Sequence, residues 1–208
     1  MMEILLVAVP LVVVWTLAVR AEQAQRVALL ASHLGRYRIE KLMEALTEGY
    51  LRALAEKDAD RQRALWSTLS LTEANLLDEF QRFVAEFAQV WPEKALVSRI
   101  PQAVPRATLL FPQATFDLRE ALALHAQGLA RLVAAQPDAA GASSQRDRAF
   151  MFTAELLLIQ HTCLWFCRSQ TTASARLMAR HQTRYAQVLA AVSPQTRATY
   201  CALVGYRS

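Results

Sequence analysis

The segment ILLVAVPLVVVWTLAV, Ile4 to Val19, runs for 16 residues without a charged side chain. As a helix it spans about 24 Å, a little less than the roughly 30 Å of a bilayer's hydrocarbon core. Met1 and Met2 extend it at one end, and Arg20 can snorkel at the other. Pro10 would kink a helix in water but is tolerated in a membrane helix. Trp15 lies near one end, where an interfacial indole is favourable. The segment therefore reads as a single transmembrane anchor, carried by Ile4, Leu5, Leu6, Val7, Leu11, Val12, Val13, Val14, Trp15 and Leu17. Two other readings compete. A cleaved signal peptide lacks its basic n-region here, and Arg20 spoils the small-residue cleavage site. A buried core helix with no polar face is uncommon in so small a domain.

The flanks set an orientation. Glu3 precedes the segment, whereas Arg20, Arg26, Arg36, Arg38 and Lys41 follow it. The positive-inside rule places the following chain in the cytoplasm and the N-terminus outside, in the manner of a bacterial inner-membrane protein. Three cysteines without disulfide-framework spacing agree with a reducing compartment.

The rest of the chain has enough apolar residues to fold. Of 208 residues, 54% are hydrophobic and 20% charged, with five glycines and seven prolines. These values exclude a collagen-like or largely disordered chain. A mean hydropathy of +0.15 fits a globular body with one apolar segment rather than a polytopic membrane protein. The length predicts one domain, residues 21–208, hung on the anchor at 1–20.

Helical periodicity dominates the body, predicting an all-α fold: a transmembrane helix and a cytoplasmic bundle of about five or six helices. Ala21 to Leu34 extends the anchor helix as far as Gly35. Ile39, Leu42, Met43, Leu46, Tyr50, Ala53 and Leu54 form one apolar face. Asp58 and Asp60 interrupt, with a short helix to Thr68. Ser70 with Glu73 has the form of a capping box, starting a helix with Leu76, Leu77, Phe80, Phe83, Val84, Phe87 and Trp91 on one face, ended by Pro92. Pro101, Pro105 and Pro112 make 92–115 an irregular connector, with Leu109, Leu110, Phe111 and Phe116 packed inward. Asp117 caps the next helix. QPDAAGASS, 136–144, reads as a flexible loop. A last long helix runs from Gln145 to about Val192 with a bend near Ser169–Ser174. Ser193-Pro194 starts a final short one ending near Gly205.

Chemistry-bearing motifs are sparse. The chain has no Gly-rich phosphate loop, G-x-S-x-G, H-E-x-x-H or C-x-x-C. Phe150–Cys167 (FMFTAELLLIQHTCLWFC) collects Glu155, His161, Cys163 and Cys167. Glu155, Cys163 and Cys167 share an i, i+4 row, but His161 lies about 200° around the helix from Cys163, so these two cannot share a metal. A metal or haem site would need ligands from His33, His125, His181 or Cys201. The simpler reading is a buried central helix in which cysteine acts as a small hydrophobe. A second membrane helix is a further alternative, with Glu155 costing about 2.5–3.5 kcal/mol near mid-bilayer.

Charge is asymmetric. The net +5 comes from 23 basic and 18 acidic residues, and no Asp or Glu follows Glu155. Arg168, Arg176, Arg180 and Arg184 fall on one i, i+4 row with Thr172. Like charges at that spacing repel, so the row is solvated, paired with carboxylates elsewhere, or turned to an external anion. The expected role is a non-catalytic accessory or scaffold protein that binds a partner protein, anionic lipid or a second copy of itself at the membrane, without a cofactor. A metal- or haem-linked sensor or enzyme and a nucleic-acid-binding regulator are the alternatives, the latter weakened by the lack of any helix-turn-helix or RNA-binding motif.

Overall fold

The computed structural model describes residues 2–135 and 142–206. Among these the chain is all-α apart from one small hairpin-like sheet. The helices are α1 (Met2–Leu34), α2 (Ile39–Ala55), α3 (Ala59–Phe87), α4 (Pro92–Ala95), α5 (Ala107–Leu110), α6 (Leu118–Ala134), α7 (Ala142–Cys167), α8 (Gln170–His181), α9 (Tyr185–Ala191) and α10 (Pro194–Val204). β1 (Leu96–Ser98) pairs antiparallel with β2 (Thr115–Asp117), placing Val97 opposite Phe116. The described elements depart from the expected ones in three places.

First, the two helices expected around Ser70 are one. Asp58 caps α3, its carboxylate accepting from the N–H groups of Asp60 and Arg61 at 3.0 Å each. No glycine or proline follows until Pro92. Ser70 does not cap: its hydroxyl donates back to the Trp66 carbonyl at 3.0 Å, and Glu73 turns into the core. α3 also ends earlier than expected, at Phe87, leaving Trp91 exposed beyond the apolar stripe.

Second, the expected long final helix breaks twice. Ser169 is extended and accepts from the Thr172 N–H at 3.2 Å, ending α7 and starting α8. Gln182 adopts the left-handed region, φ 51°, and closes α8. The arginine row is therefore spread over a junction, α8 and the start of α9.

Third, the connector holds β1, α4, α5 and β2. Phe116 packs into the core as expected, but Leu109, Leu110 and Phe111 are exposed. Of the loop expected at 136–144, residues 136–141 lie outside the described residues, and Ala142–Ser144 already belong to α7.

α7 is the hub. α1, α2, α6, α8, α9 and β1 all pack against it, and Phe152, Leu158 and Phe166 are fully buried. Gln145–Cys167 is, by length and composition, apolar enough to cross a membrane, yet 61% of its apolar window is buried inside the protein. That is the behaviour of a core helix. The expected stripe of α2 is buried through Ile39, Met43, Leu46, Tyr50 and Ala53. Leu76, Phe80, Phe83 and Phe87 of α3 are buried as well, and the Phe87 ring meets Phe166 of α7 edge-on.

Glu73 locks these layers. Its carboxylate, 1% exposed, takes both terminal nitrogens of Arg148 on α7 and the Tyr50 hydroxyl of α2. Arg148 Nε also donates to the Leu132 carbonyl of α6 at 3.2 Å. One bidentate pair thus ties four helices. Removing one partner of such a buried pair leaves an uncompensated charge, a loss of about 3–5 kcal/mol. Arg148→Met is expected to lower unfolding stability by that amount in chemical denaturation. Arg63→Met, which removes the exposed pair with Asp60, is expected to leave the midpoint nearly unchanged.

Candidate functional site

The N-terminal half of α1 is a bare apolar arm. Ile4, Leu5, Leu6 and Val7 are described by their backbone only, within the helix. Leu11, Val12, Val13, Val14, Trp15 and Leu17 are 48–64% exposed. The helix runs unbroken through Pro10. Thr16 donates its hydroxyl to the Val13 carbonyl at 2.8 Å, so the arm satisfies its own alcohol.

Packing starts at the next turn. Arg26 pairs with Glu22 at 2.7 Å and donates to the Phe166 carbonyl at 3.2 Å. Glu22 accepts from the backbone N–H of Arg106 at 2.8 Å, and Gln23 from Arg168 at 2.8 Å. Leu30, a turn further on, is buried. A shallow cleft of about 30 Å³ lies here between Val19, Gln23, Val104 and Trp165, with room for roughly one or two waters.

The four polar residues singled out on α7 do not converge. Glu155 is fully buried toward α6 and α10: its Oε1 accepts from the Ser193 N–H at 3.4 Å, and its Oε2 has no hydrogen-bond partner. Space for it exists because residue 128 is glycine; a Cβ there would stand 2.8 Å from Thr196 Oγ1 and 3.2 Å from Glu155 Oε2. Burial raises the Glu155 carboxyl above its ordinary value, while Thr196, Ser193 and Arg131 pull the other way. His161 instead faces α8 and α9. Its Nε2 is 3.0 Å from Ser174 Oγ, and its ring stacks on Tyr185 at 4.1 Å. Cys163 and Cys167 are free thiols, pushed by burial up to about 12 and about 11. Thiols so held are protonated at neutral pH and are poor nucleophiles or ligands. Among the described residues, no three His, Cys, Asp or Glu side chains are placed to hold a metal ion.

His125, left unassigned in the sequence, proves to be the centre of a second buried polar set. His125 Nε2 is 3.0 Å from Thr162 Oγ1, which lies 2.9 Å from the Tyr200 hydroxyl. Thr162 donates its single proton to the Leu158 carbonyl at 2.8 Å. Both His125 Nε2–H and the tyrosine O–H must then donate to Thr162, which fixes the histidine tautomer. Nδ1 is left buried without a partner. Burial, with a smaller contribution from His161, drops His125 to about 3, and burial drops His161 to about 4. The arrangement keeps imidazoles, thiols and phenols neutral in the interior. No signal in the sequence linked His125 to Thr162, because helices α6 and α7 bring them together across 37 positions.

The arginine row divides. Arg168 sits at the α1 junction, as described. Arg176, Arg180 and Arg184 are exposed, and among the described residues no carboxylate lies within ion-pair distance of them. Arg180 occupies the last turn of α8, where a cation suits the helix dipole. No protein-family model, curated protein or solved structure matches the chain.

The two buried histidines give the protein an acid-sensitive core. The unfolded chain takes up their protons below about pH 6.5, whereas the folded chain resists until about 4 and about 3. Stability conferred by their neutral burial is present above 6.5 and is lost as pH falls, by about 1.4 kcal/mol per pH unit for each histidine. Glu155, with its pKa raised, works oppositely: its contribution is present below its ordinary value and lost as pH rises through the raised one. Unfolding free energies measured between pH 6.5 and 4.5 should fall less steeply in His161→Gln than in the parent, by about one proton's worth of slope. An unchanged slope would mean that His161 is charged in the native state.

Proposed function

We propose that this chain is a bitopic, membrane-anchored helical scaffold of the bacterial inner-membrane kind. Its α1 arm spans the bilayer with the N-terminus outside, and its body holds a basic docking surface in the cytoplasm. One observation carries the reading: an unbroken apolar helix whose residues 9–18 are all exposed, joined without a break to a packed stretch that begins at Glu22. Seven large apolar side chains on one bare helix, Val9 among them and rimmed by Arg20, have no favourable place in water. The self-satisfied Thr16 hydroxyl and the helical backbone meet the demand that polar groups in hydrocarbon be paired internally. Orientation rests on the excess of Arg and Lys after the arm.

The docking role rests on Arg176, Arg180 and Arg184, exposed and without an ion-pair partner among the described residues. Such a set suits an acidic protein surface or anionic headgroups. The metal or haem reading has no converging ligands in its favour among the described residues, and the nucleic-acid reading has no recognition motif.

Deleting Met1–Arg20 is expected to move the body from the membrane fraction to the soluble fraction; a truncated chain that stays with membranes overturns the anchor. Changing Arg176, Arg180 and Arg184 together to Glu should abolish co-purification of an acidic partner in mild detergent, or binding to phosphatidylglycerol vesicles, while circular dichroism stays unchanged. A loss of helix content instead would assign the row a structural role.

A further inference from the structure

Outside the arm, Leu51, Leu71, Trp91 and Phe150 are exposed singly, whereas one site exposes a run of large hydrophobes. Leu109, Leu110 and Phe111 are 74%, 63% and 49% exposed, three consecutive large hydrophobes at the tip of a connector whose other apolar residues pack inward. From α5 and its surroundings we infer that Leu109–Phe111 is a second membrane-contacting element, which dips into the lipid headgroup and upper acyl region beside the point where α1 leaves the bilayer. The inference rests on the anchor reading and deepens it.

Placement is the first argument. Glu22 accepts from the Arg106 N–H at 2.8 Å. Glu22 is three residues past Val19, where the uncharged segment ends, and Leu109 is one helical turn past Arg106, about 5–6 Å away. A bilayer that holds Ile4 to Val19 therefore has its surface within about 10 Å of Leu109. Val104 and Ala107, on the same connector, line the cleft against Val19 and Gln23, so the connector lies alongside α1 rather than swinging free of it.

Backbone chemistry is the second. The N–H groups of Leu109 and Leu110 bond to the Arg106 carbonyl at 3.0 Å each, and that of Phe111 to the Ala107 carbonyl at 2.9 Å. Pro112, also exposed, has no N–H to satisfy. The tip can thus leave water without orphaning these donors.

Conformation and charge are the third. Arg106 holds φ 54°, a left-handed conformation uncommon outside glycine, and the Glu22 contact clamps that residue. This backbone starts α5, whose Leu109 and Leu110 are exposed. Arg20 and Arg106 are both exposed, and the Arg106 backbone is held at Glu22, two residues past Arg20, so anionic headgroups at the arm's end would meet them. An apolar tip flanked by arginines at an interface matches the chemistry of interfacial insertion, to a depth of about 5–10 Å.

Depth-resolved fluorescence on the full chain tests this. Leu110→Cys and, separately, Phe111→Cys would carry an environment-sensitive fluorophore. Both would be made in a Cys163→Ala, Cys201→Ser background, since these two thiols are partly exposed whereas Cys167 is buried. The protein is reconstituted in phosphatidylcholine–phosphatidylglycerol vesicles containing lipids spin-labelled near the headgroup or near the chain end. Val14→Cys in the arm and Leu71→Cys, exposed on α3, serve as references. The expected result is a blue-shifted emission at 110 and 111, quenched more by the shallow label than by the deep one. Val14 should be quenched more by the deep label, and Leu71 by neither. Quenching at Val14 without quenching at 110 and 111 overturns this inference and leaves the anchor standing. Absence of quenching at all sites overturns both. Quenching at Leu71 equal to that at Leu110 overturns the tip as a specific contact.

Discussion

α7 has almost no side for water to wet, and the rest of the fold answers that constraint. Between Met151 and Cys167 its polar residues are few, and nearly all are absorbed. Thr153 bonds back to the Ala149 carbonyl, Thr162 to that of Leu158, His161 reaches Ser174, and Glu155 sits in the space left by Gly128. Only Gln160 is exposed among the polar side chains of the helix's last two turns and a half. A helix of this kind has to be enclosed on every side. That requirement places α1, α2 and α6 around it, and it folds α8 and α9 back along it at the Ser169 break. The Glu73–Arg148–Tyr50 contact then fixes the relative positions of the enclosing helices. Apolar contacts alone would let them slide, whereas a bidentate carboxylate–guanidinium pair has one geometry.

Much of this was legible from periodicity. The stripes of α2 and α3 could be read at i, i+3 and i+4 because burial on one face leaves a repeating trace. Helix starts at Asp117 and Ser193 were legible for a similar reason: Asp117 accepts from the Arg119 N–H, and Ser193 from that of Thr196. Ser70 misled because a serine three residues before a glutamate looks alike at a helix start and in a helix interior. What separates the two is whether the hydroxyl accepts from the backbone or donates to it, and this depends on Asp58, twelve positions upstream. The Ser and Thr residues at 169–174 announced a bend; its sharpness, which turns one long helix into antiparallel α7 and α8, depends on packing against His161 and Tyr185.

Residues whose roles are set by distant partners were the least legible. Glu73 and Arg148 are 75 positions apart, and each alone resembles an ordinary surface charge. The cysteines and His161 drew attention as potential ligands by residue type, yet the fold uses them as neutral packing groups. Leu109–Phe111 failed in the opposite sense. Apolar runs in a connector are normally buried, and this one is exposed directly after a left-handed residue, Arg106. The α1 arm is exposed likewise, and the connector that carries this run lies alongside α1.

The uneven charge along the chain acquires a direction once folded. Residues 39–87, comprising α2 and α3, hold ten acidic and six basic side chains, while nothing acidic follows Glu155. α2 and α3 pack on each other, while α8 and α9 pack on α7. On the proposed anchor, such a body is an electric dipole carried by a single helical stalk. A tethered dipole does not spin freely about its stalk: before any fixed pattern of charge, whether a partner or a patch of anionic lipid, one azimuth is preferred. The preference reaches about a Debye length, roughly 8 Å at physiological ionic strength, and added salt would relax it.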